Sequence, residues 1–423
     1  MFLIKIIIMK IFIQIASYRD PELKPTIKDC IKNSKNPKNL IFAIARQYSH
    51  EDNFDDLSEY DNDIRFKILN IPYKESYGAC WARNKIQQLY NNEEYTLQID
   101  SHMRFEKNWD ETLINMLNQL KDLGIEKPLL TSYVSSYDPK NDPKGRVMDP
   151  WRMAFDKFIP EGAVFFLPEI IPNWKDIDTP IPSRFYSAHF CFTLGKFAEE
   201  VQHNPEYYFH GEEISIAVRA FTHGYDLFHP HRIVLWHEYT RNGRTKQWDD
   251  DKEWYLKNDS SHLINRKLFG MDGLLQEGHE GKYGFGKERS LRDYEIYSGL
   301  LFEKRSVQDY TLQKKYPPNP YEYQNEEEWI NSFTKTVTKC FQINKSDVPE
   351  NDYEFWVVAF DRENGETIFR KDSNDVEIKN LLNMNDNVIK ICRTFQTSEH
   401  IYKWVLWPYS TSKGWCDKLE GKL

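Results

Sequence analysis

The feature that most constrains this chain is a set of near-continuous apolar runs, at 9–17, 40–45, 64–69 and 95–99, set apart by stretches with helical periodicity. Strands buried on both faces read this way, so the pattern implies a mainly parallel sheet covered by helices, an α/β fold. Asp20-Pro21 forms a cap-then-proline start for a helix running toward Asn33, and a second helix is expected over 77–90. A polar, acidic loop fills 50–63. In an open α/β sheet, ligands bind beyond the carboxyl ends of the strands. The run at 95–99 ends there in Asp100-Ser101-His102, a carboxylate and an imidazole two residues apart. A hard oxygen and a borderline nitrogen suit a divalent cation such as Mn²⁺ with coordination positions left open. By itself the triplet is more often the pattern of a turn cap beside a surface histidine.

At 423 residues the chain exceeds the usual size of one core, so two domains or one domain with an appended module are expected. Aromatic residues reach 15%, which excludes a disordered chain. The 56 Lys and Arg against 65 Asp and Glu give −9, which argues against a general nucleic-acid or anionic-membrane surface. Any bound phosphate must then be neutralised locally. Six cysteines lie far apart with no C-x-x-C pair, the pattern of free thiols in a reducing, cytoplasmic compartment. The apolar start, 1–15, resembles a signal or anchor but is broken by Lys5 and Lys10 and is short for a bilayer span. A first core strand with a loose extension before Met9, and no integral membrane association, is the expectation.

Downstream, 108–120 has one apolar face that includes Trp109, Leu113 and Leu117, and strands are expected at 129–134 and 163–167. Between them, a loop over 137–150 rich in Pro and Asp could line an acceptor groove, with Tyr137 and Trp151 able to stack on sugar or peptide or simply to pack locally. Gly211-Glu212-Glu213 heads an amphipathic helix; acids in a first turn gain from the helix dipole whether or not they face a ligand. The short strand 233–236 ends in His237, with Arg241 beyond. If that strand lies near Asp100, His237 completes an Asp plus two His set.

In order and spacing, Asp100-Ser101-His102-Met103-Arg104-Phe105 with Trp109, then Gly211-Glu212, then His237 with Arg241, resemble the polypeptide N-acetylhexosaminyltransferases of the GT-A fold. The Ala16-Ser17-Tyr18-Arg19-Asp20 opening and the stretch from Gly284-Phe285-Gly286-Lys287 to Tyr294 are similar to the cytoplasmic α-N-acetylglucosaminyltransferases that modify hydroxyproline in protist proteins; mucin-type GalNAc-transferases are more distantly similar. The likeness spans roughly 9–310. It implies a Rossmann-like, nucleotide-diphospho-sugar transferase domain over 9–315, UDP-GlcNAc as donor, Mn²⁺ or another divalent cation, and retaining transfer to a hydroxyl acceptor, on a protein (hydroxyproline, Ser or Thr). Asp100, His102 and His237 become metal ligands, and Glu212 and Glu213 catalytic sugar or acceptor contacts. Ser17, Arg19, Arg83, Ser101, His189, Arg241, Lys287 and Arg289 become donor contacts. Departures are local: the mucin-type enzymes carry Asn at Glu213 and Glu at Ser215, Arg241 lies one residue further from its histidine, and Ala188-His189-Phe190 replaces a small-residue floor.

The basic segment 281–292 reads either as a mobile lid over the leaving diphosphate or as a solvated surface. Tyr316-Pro317-Pro318-Asn319-Pro320 and the acidic Glu326-Glu327-Glu328 mark a linker at 316–328, after which alternation implies a β-sandwich-like module over 329–423 with Trp404, Trp407 and Trp415 in its core or on a binding face. A non-catalytic carbohydrate-binding protein, or an enzyme acting on a glycan or small molecule with another UDP-sugar, stays open beside the protein-directed transferase.

Overall fold

The computed structural model describes residues 9–384 and 386–423. The extension expected before Met9 lies outside the described residues. Contacts divide the chain into two compact units: the first runs to Arg305 and takes in Tyr310–Pro320, while the second comprises Ser306–Asp309 and Tyr321–Leu423.

In the first unit the elements follow in order: β1 (Ile11–Tyr18), α1 (Leu23–Asn33), β2 (Leu40–Tyr48), β3 (Phe66–Pro72), α2 (Ala79–Gln87), β4 (Tyr95–Asp100), β5 (Met103–Phe105) and α3 (Trp109–Asp122). Then come β6 (Pro128–Thr131), β7 (Trp151–Phe158), β8 (Val164–Ile170), β9 (Ile181–Pro182), β10 (Phe190–Leu194), α4 (Phe197–Glu200), α5 (Glu212–Thr222), β11 (Asp226–His229) and β12 (Leu235–His237). After them lie α6 (Gln247–Asp250), α7 (Trp254–Leu268) and α8 (Leu291–Ser298). The main sheet has the order β3-β2-β1-β4-β10-β6-β11-β9. β3, β2, β1 and β4 run parallel, as their unbroken apolar runs require, but β10 is antiparallel to both β4 and β6, so the sheet is mixed. Ile13, Phe42, Leu97 and Phe192 are fully buried in its core, and α3 packs there through Trp109, whose indole N–H donates to the Cys30 carbonyl at 2.9 Å. The β7–β8 hairpin is half unforeseen: its second strand was expected, while its first begins just beyond the 137–150 loop, where no strand was expected.

In the second unit, Lys335–Asn344 pairs with Val388–Thr397, while Tyr353–Asp361 and Lys403–Ser410 centre a six-stranded sheet. Phe341 and Ile391 of the ribbon share one core with Trp356, Phe360 and Leu406 of the sheet. The acidic triplet lies within the helix Glu326–Asn331, capped by the Asn325 side chain accepting from the Glu328 N–H at 2.9 Å, rather than in a linker. Three carboxylates in a first turn suit the positive helix end. Trp404 stacks on Phe341 in the core, whereas the Trp407 and Trp415 rings meet at the surface, centroids 4.3 Å apart and tilted by 36°.

Reading all six cysteines as free thiols is corrected here. Cys340 and Cys392 stand directly opposite on adjacent strands and form a disulfide; Cys30, Cys80, Cys191 and Cys416 are free. Their sequence separation of 52 hid the pairing, and the bridge removes the cysteine argument for a reducing compartment. Closing a loop of that size restricts the unfolded chain, so a Cys340→Val/Cys392→Val variant is expected to lose about 3–4 kcal/mol of stability. Thermal melts of both proteins, with and without reductant, check this; coincident melts would show that the bridge adds nothing. Among the described residues no helix is long and apolar enough to cross a membrane.

Candidate active site

Strand ends and two helix starts meet at a cavity of about 440 Å³. α2 starts after Gly78 (φ +111°), where a Cβ would stand 2.9 Å from the Tyr208 ring, and α5 starts after Gly211 (φ +92°), so both helices present their first turns to the cavity from backbone that only glycine adopts freely. Asp100 closes β4. The ribbon of β5 with β12 places His237 opposite Met103, one residue from His102. Thus His237 arrives beside a short strand after the Asp100 turn rather than beside β4 itself.

One ligand atom each from Asp100, His102 and His237 lies within 4.8 Å of the others. Asp100 Oδ2 stands 3.4 Å from His237 Nε2 and 3.6 Å from His102 Nε2. His102 Nδ1 is hydrogen-bonded to Asp20 Oδ2 at 2.8 Å, which fixes its ring and turns Nε2 toward Asp100, the usual arrangement behind a ligating imidazole. Ser101 Oγ donates to the same Asp20 oxygen at 2.7 Å. One carboxylate oxygen and two imidazole nitrogens converging this way fit a divalent cation of the Mn²⁺ type. Burial and the neighbouring imidazoles set the charge states. Burial drives His237 down to about 4 against the pull of Asp100, so it is neutral near pH 7. For Asp100, burial is outweighed by the His237 hydrogen bond and the Arg83 charge, which hold it well below the usual carboxylate range.

Arg83, on α2, bridges two carboxylates, with Nη2 2.9 Å from Asp100 Oδ1 and Nη1 2.9 Å from Glu212 Oε1. The other oxygen of Glu212 takes the Cys80 thiol. Both oxygens of Glu212, which lines the cavity, are thus bonded within the protein, one to the guanidinium of Arg83 and one to the Cys80 thiol. Cys80, His203 and Glu212 also cluster with metal-ligand atoms, but the guanidinium at Glu212 opposes a second cation there.

Glu213 differs. Its Oε1 accepts from the Ala188 N–H at 2.9 Å and its Oε2 from the Tyr133 hydroxyl at 2.8 Å, and it lines the cavity. Burial pushes its carboxyl up to about 7, with the Glu212 charge adding to the rise. The folded form thus binds the proton more tightly than the unfolded chain, whose carboxyl titrates near 4.5. Stability from this group is therefore complete below about pH 4.5 and is lost as pH rises through about 7. Glu213→Gln keeps the acceptor for Ala188 and removes the titration. Metal-free variant and parent are expected to melt together at pH 5 and to separate at pH 8, with the variant ahead by of order 1–3 kcal/mol. Parallel melting curves at both pH values would show that Glu213 titrates normally.

His189 lines the cavity with its ring stacked on His237, centroids 4.3 Å apart and 14° from parallel. Its Nε2 accepts from the Val134 N–H at 3.2 Å, and Nδ1 is hydrogen-bonded to Ser187 Oγ at 3.1 Å. Burial, followed by the His237 ring, holds it neutral, well below the ordinary imidazole value.

Of the remaining expected donor contacts, Arg83, Ser101 and Arg241 line the cavity; Arg241 is exposed, at φ +58°, with its guanidinium over the Phe209 and Trp248 rings. Four others do not line it. Ser17 is buried beneath the strand end, and Arg19 is held by Asp52 and Asp250 at 2.6 and 3.0 Å. Lys287 and Arg289 sit with the segment that docks on the opposite end of α5, where Arg289 pairs with Asp226 at 2.8 Å and the Gly286 and Glu288 N–H groups donate to Thr222. A Cβ at Gly286 would come within 2.3 Å of the Thr222 carbonyl, so this segment is packed backbone to backbone and not poised over the cavity.

Sequence reasoning missed Asp20, Arg244, Tyr133 and Tyr239. Asp20 does not cap α1 as expected, since the helix starts only at Leu23 behind Glu22; its other oxygen accepts from the Glu22 N–H at 2.9 Å in the turn ahead of the helix, and that local pattern concealed its role at His102. Arg244 contacts His102, lies 3.2 Å from Asp20 and pairs with Glu238 at 2.7 Å. Its only signal was its place three residues beyond Arg241.

Comparison of the sequence with curated proteins found no match. Among solved structures, the chain is similar to GalNAc-T7 with UDP, GalNAc and Mn²⁺ (14% identity, TM-score 0.45, 62% of this chain and 48% of that one). It thus spans about half the length of that chain. It is also similar to S. aureus TarS 1-349 in complex with UDP-GlcNAc (12%, 0.37, 61% and 67%) and to the mannosyltransferase PcManGT from Pyrobaculum calidifontis in complex with GDP-Man and Mn²⁺ (11%, 0.36, 61% and 63%). The model of the family described as Glycosyltransferase (GlcNAc) matches residues 10–67 and 56–304, well over half of the chain and all of the elements that build the cavity. The chain belongs to this GlcNAc glycosyltransferase family.

Proposed function

We propose that this glycosyltransferase moves GlcNAc from UDP-GlcNAc, with retention, to a hydroxyl on a protein acceptor, and that it needs a divalent cation such as Mn²⁺ to do so. The observation that carries the reading is the convergence of Asp100, His102 and His237 at the strand ends of one cavity, a set of ligands that a passive binding module has no use for. A cation held by these three residues supplies Lewis-acid stabilisation for the charge that builds on a leaving diphosphate. The chain's own residues do the positioning. Asp20 and Arg244 fix His102; Arg83, itself held by Glu212, fixes the Asp100 carboxylate. Glu213, half-protonated near neutrality, is suited to accept from or donate to a sugar hydroxyl at the site's edge. In this reading residues 9–315 are the catalytic part and 329–423 an accessory module.

The test is a screen of UDP-sugar hydrolysis with and without Mn²⁺, because slow donor hydrolysis requires no known acceptor. UDP-GlcNAc is expected to turn over fastest, and EDTA to abolish it. Faster turnover of UDP-glucose or UDP-galactose would overturn the sugar assignment, and full activity in EDTA would overturn the metal.

A further inference from the structure

The two imidazoles of the candidate cation site are held in different ways. His102 is aimed by a hydrogen bond, from Nδ1 to Asp20 Oδ2 at 2.8 Å. The matching atom of His237, its Nδ1, is buried, and among the described residues nothing is hydrogen-bonded to it. A ligating imidazole ordinarily gives that N–H to a carboxylate or a carbonyl, which sets the tautomer and the direction of the ring. His237 must be directed by something else.

Its main chain is fixed by the segment 133–137. The His237 N–H donates to the Ser135 carbonyl at 3.0 Å, and the His237 carbonyl accepts from the Tyr137 N–H at 3.2 Å, so only side-chain torsions remain to be set. Neighbouring rings set them. His189 lies nearly parallel to His237, with centroids 4.3 Å apart and 14° between the planes, and Tyr239 stands edge-on to it at 4.3 Å and 78°. Stacked and edge-to-face contacts are the ones aromatic rings favour, and one of each at this distance leaves the imidazole little room to turn about its Cβ–Cγ bond. The same segment holds the two flanking rings. The Val134 N–H donates to His189 Nε2 at 3.2 Å, the Tyr239 hydroxyl donates to the Val134 carbonyl at 2.7 Å, and the Tyr133 ring stacks with His189, centroids 5.2 Å apart. His189 Nδ1 is taken by Ser187 Oγ at 3.1 Å. With both nitrogens engaged elsewhere, what His189 offers His237 is the flat surface of its ring.

We infer that His189 and Tyr239 are positioning residues, which aim His237 Nε2 at the cation by ring contact in place of a hydrogen bond. This rests on the reading of Asp100, His102 and His237 as the cation site. Ring shape, and not hydrogen bonding, is then what each position must supply, and paired substitutions in the full chain separate the two. His189→Leu and His189→Phe both lose the bonds to Val134 and Ser187, but only the second keeps a flat ring; Tyr239→Leu and Tyr239→Phe both lose the bond to the Val134 carbonyl and differ in the same way. Calorimetry of Mn²⁺ in the presence of UDP gives the affinity, and melts of the metal-free proteins show that each variant is folded. The leucine variants are expected to bind Mn²⁺ about 10- to 100-fold more weakly, as when the partner behind a ligating histidine is removed, and the phenylalanine variants within about threefold of wild type. Leucine variants that bind as tightly as wild type would overturn the inference. So would phenylalanine variants as weak as the leucine ones, since the lost hydrogen bonds would then be the cause. If the His189 variants do not fold, the Tyr239 pair decides by the same criteria. Wild type that takes up no Mn²⁺ with UDP is a different failure, which overturns the cation site itself.

Discussion

Asp100→Asn is expected to reduce donor hydrolysis by at least 100-fold while leaving the fold almost unchanged. Asp100 Oδ1 accepts from Arg83 and Oδ2 faces both imidazoles, so the carboxylate is the one charged group shared by the two halves of the site. An amide has the same shape and can keep its oxygen on Arg83. Its NH₂ then points at His102 Nε2 and His237 Nε2, which can accept from it. The site is closed by hydrogen bonds in the place where a cation would bind, so stability shifts by only about 1 kcal/mol, whereas loss of Lewis-acid stabilisation is worth several kcal/mol, or 10² to 10³ in rate. Calorimetry of Mn²⁺ with UDP, beside a thermal melt, separates the two effects. His223→Ala, altering a histidine at the far end of α5 that bonds the Arg219 carbonyl, serves as the neutral control. Unchanged Mn²⁺ affinity in Asp100→Asn would remove the ligand assignment.

Arg83→Ala is expected to be the most damaging single change to stability in this site, costing about 3–5 kcal/mol at pH 7. The guanidinium is buried between Asp100 and Glu212, and its removal strands two carboxylates near one another. Burial already raises Glu212, and Arg83 is what opposes the rise. Without it both carboxyls titrate higher in the folded protein than in the unfolded chain, so the folded variant binds more protons and its stability increases as pH falls from 7 toward 5. The deficit relative to wild type should therefore shrink over that window in chemical denaturation of the metal-free proteins. A deficit independent of pH would point to lost packing instead. Arg83→Met, which fills much of the same volume without the charge, separates the two causes.

The loop residues show why part of the site was legible and part was not. Asp100, His102 and His237 each sit at the end of an apolar strand, and an abrupt change from buried to polar residues is visible along the chain. Asp20 and Arg244 carry no such mark. Their roles depend on contacts across 82 and 142 residues with His102, set by the parallel pairing of β1 with β4 and the return of the chain after β12. Lys287 and Arg289 fail in the opposite sense: a basic, glycine-rich stretch looks suited to a diphosphate, but glycine here serves the close approach of Gly286 to Thr222.

By itself the sequence determined the α/β class of the first unit, the strands β1 to β4 and the three metal-ligand candidates, because burial on both faces and the polar break at a strand end are local patterns. Only the tertiary structure decided the antiparallel insertion of β10, the Cys340–Cys392 bridge and the split between Glu212 and Glu213. Those two acids are neighbours on one helix turn with the same intrinsic chemistry. One is turned onto Arg83 and Cys80 and the other onto Tyr133 and the Ala188 N–H, and the difference lies in what the fold packs against each side of the helix start, which no local pattern records.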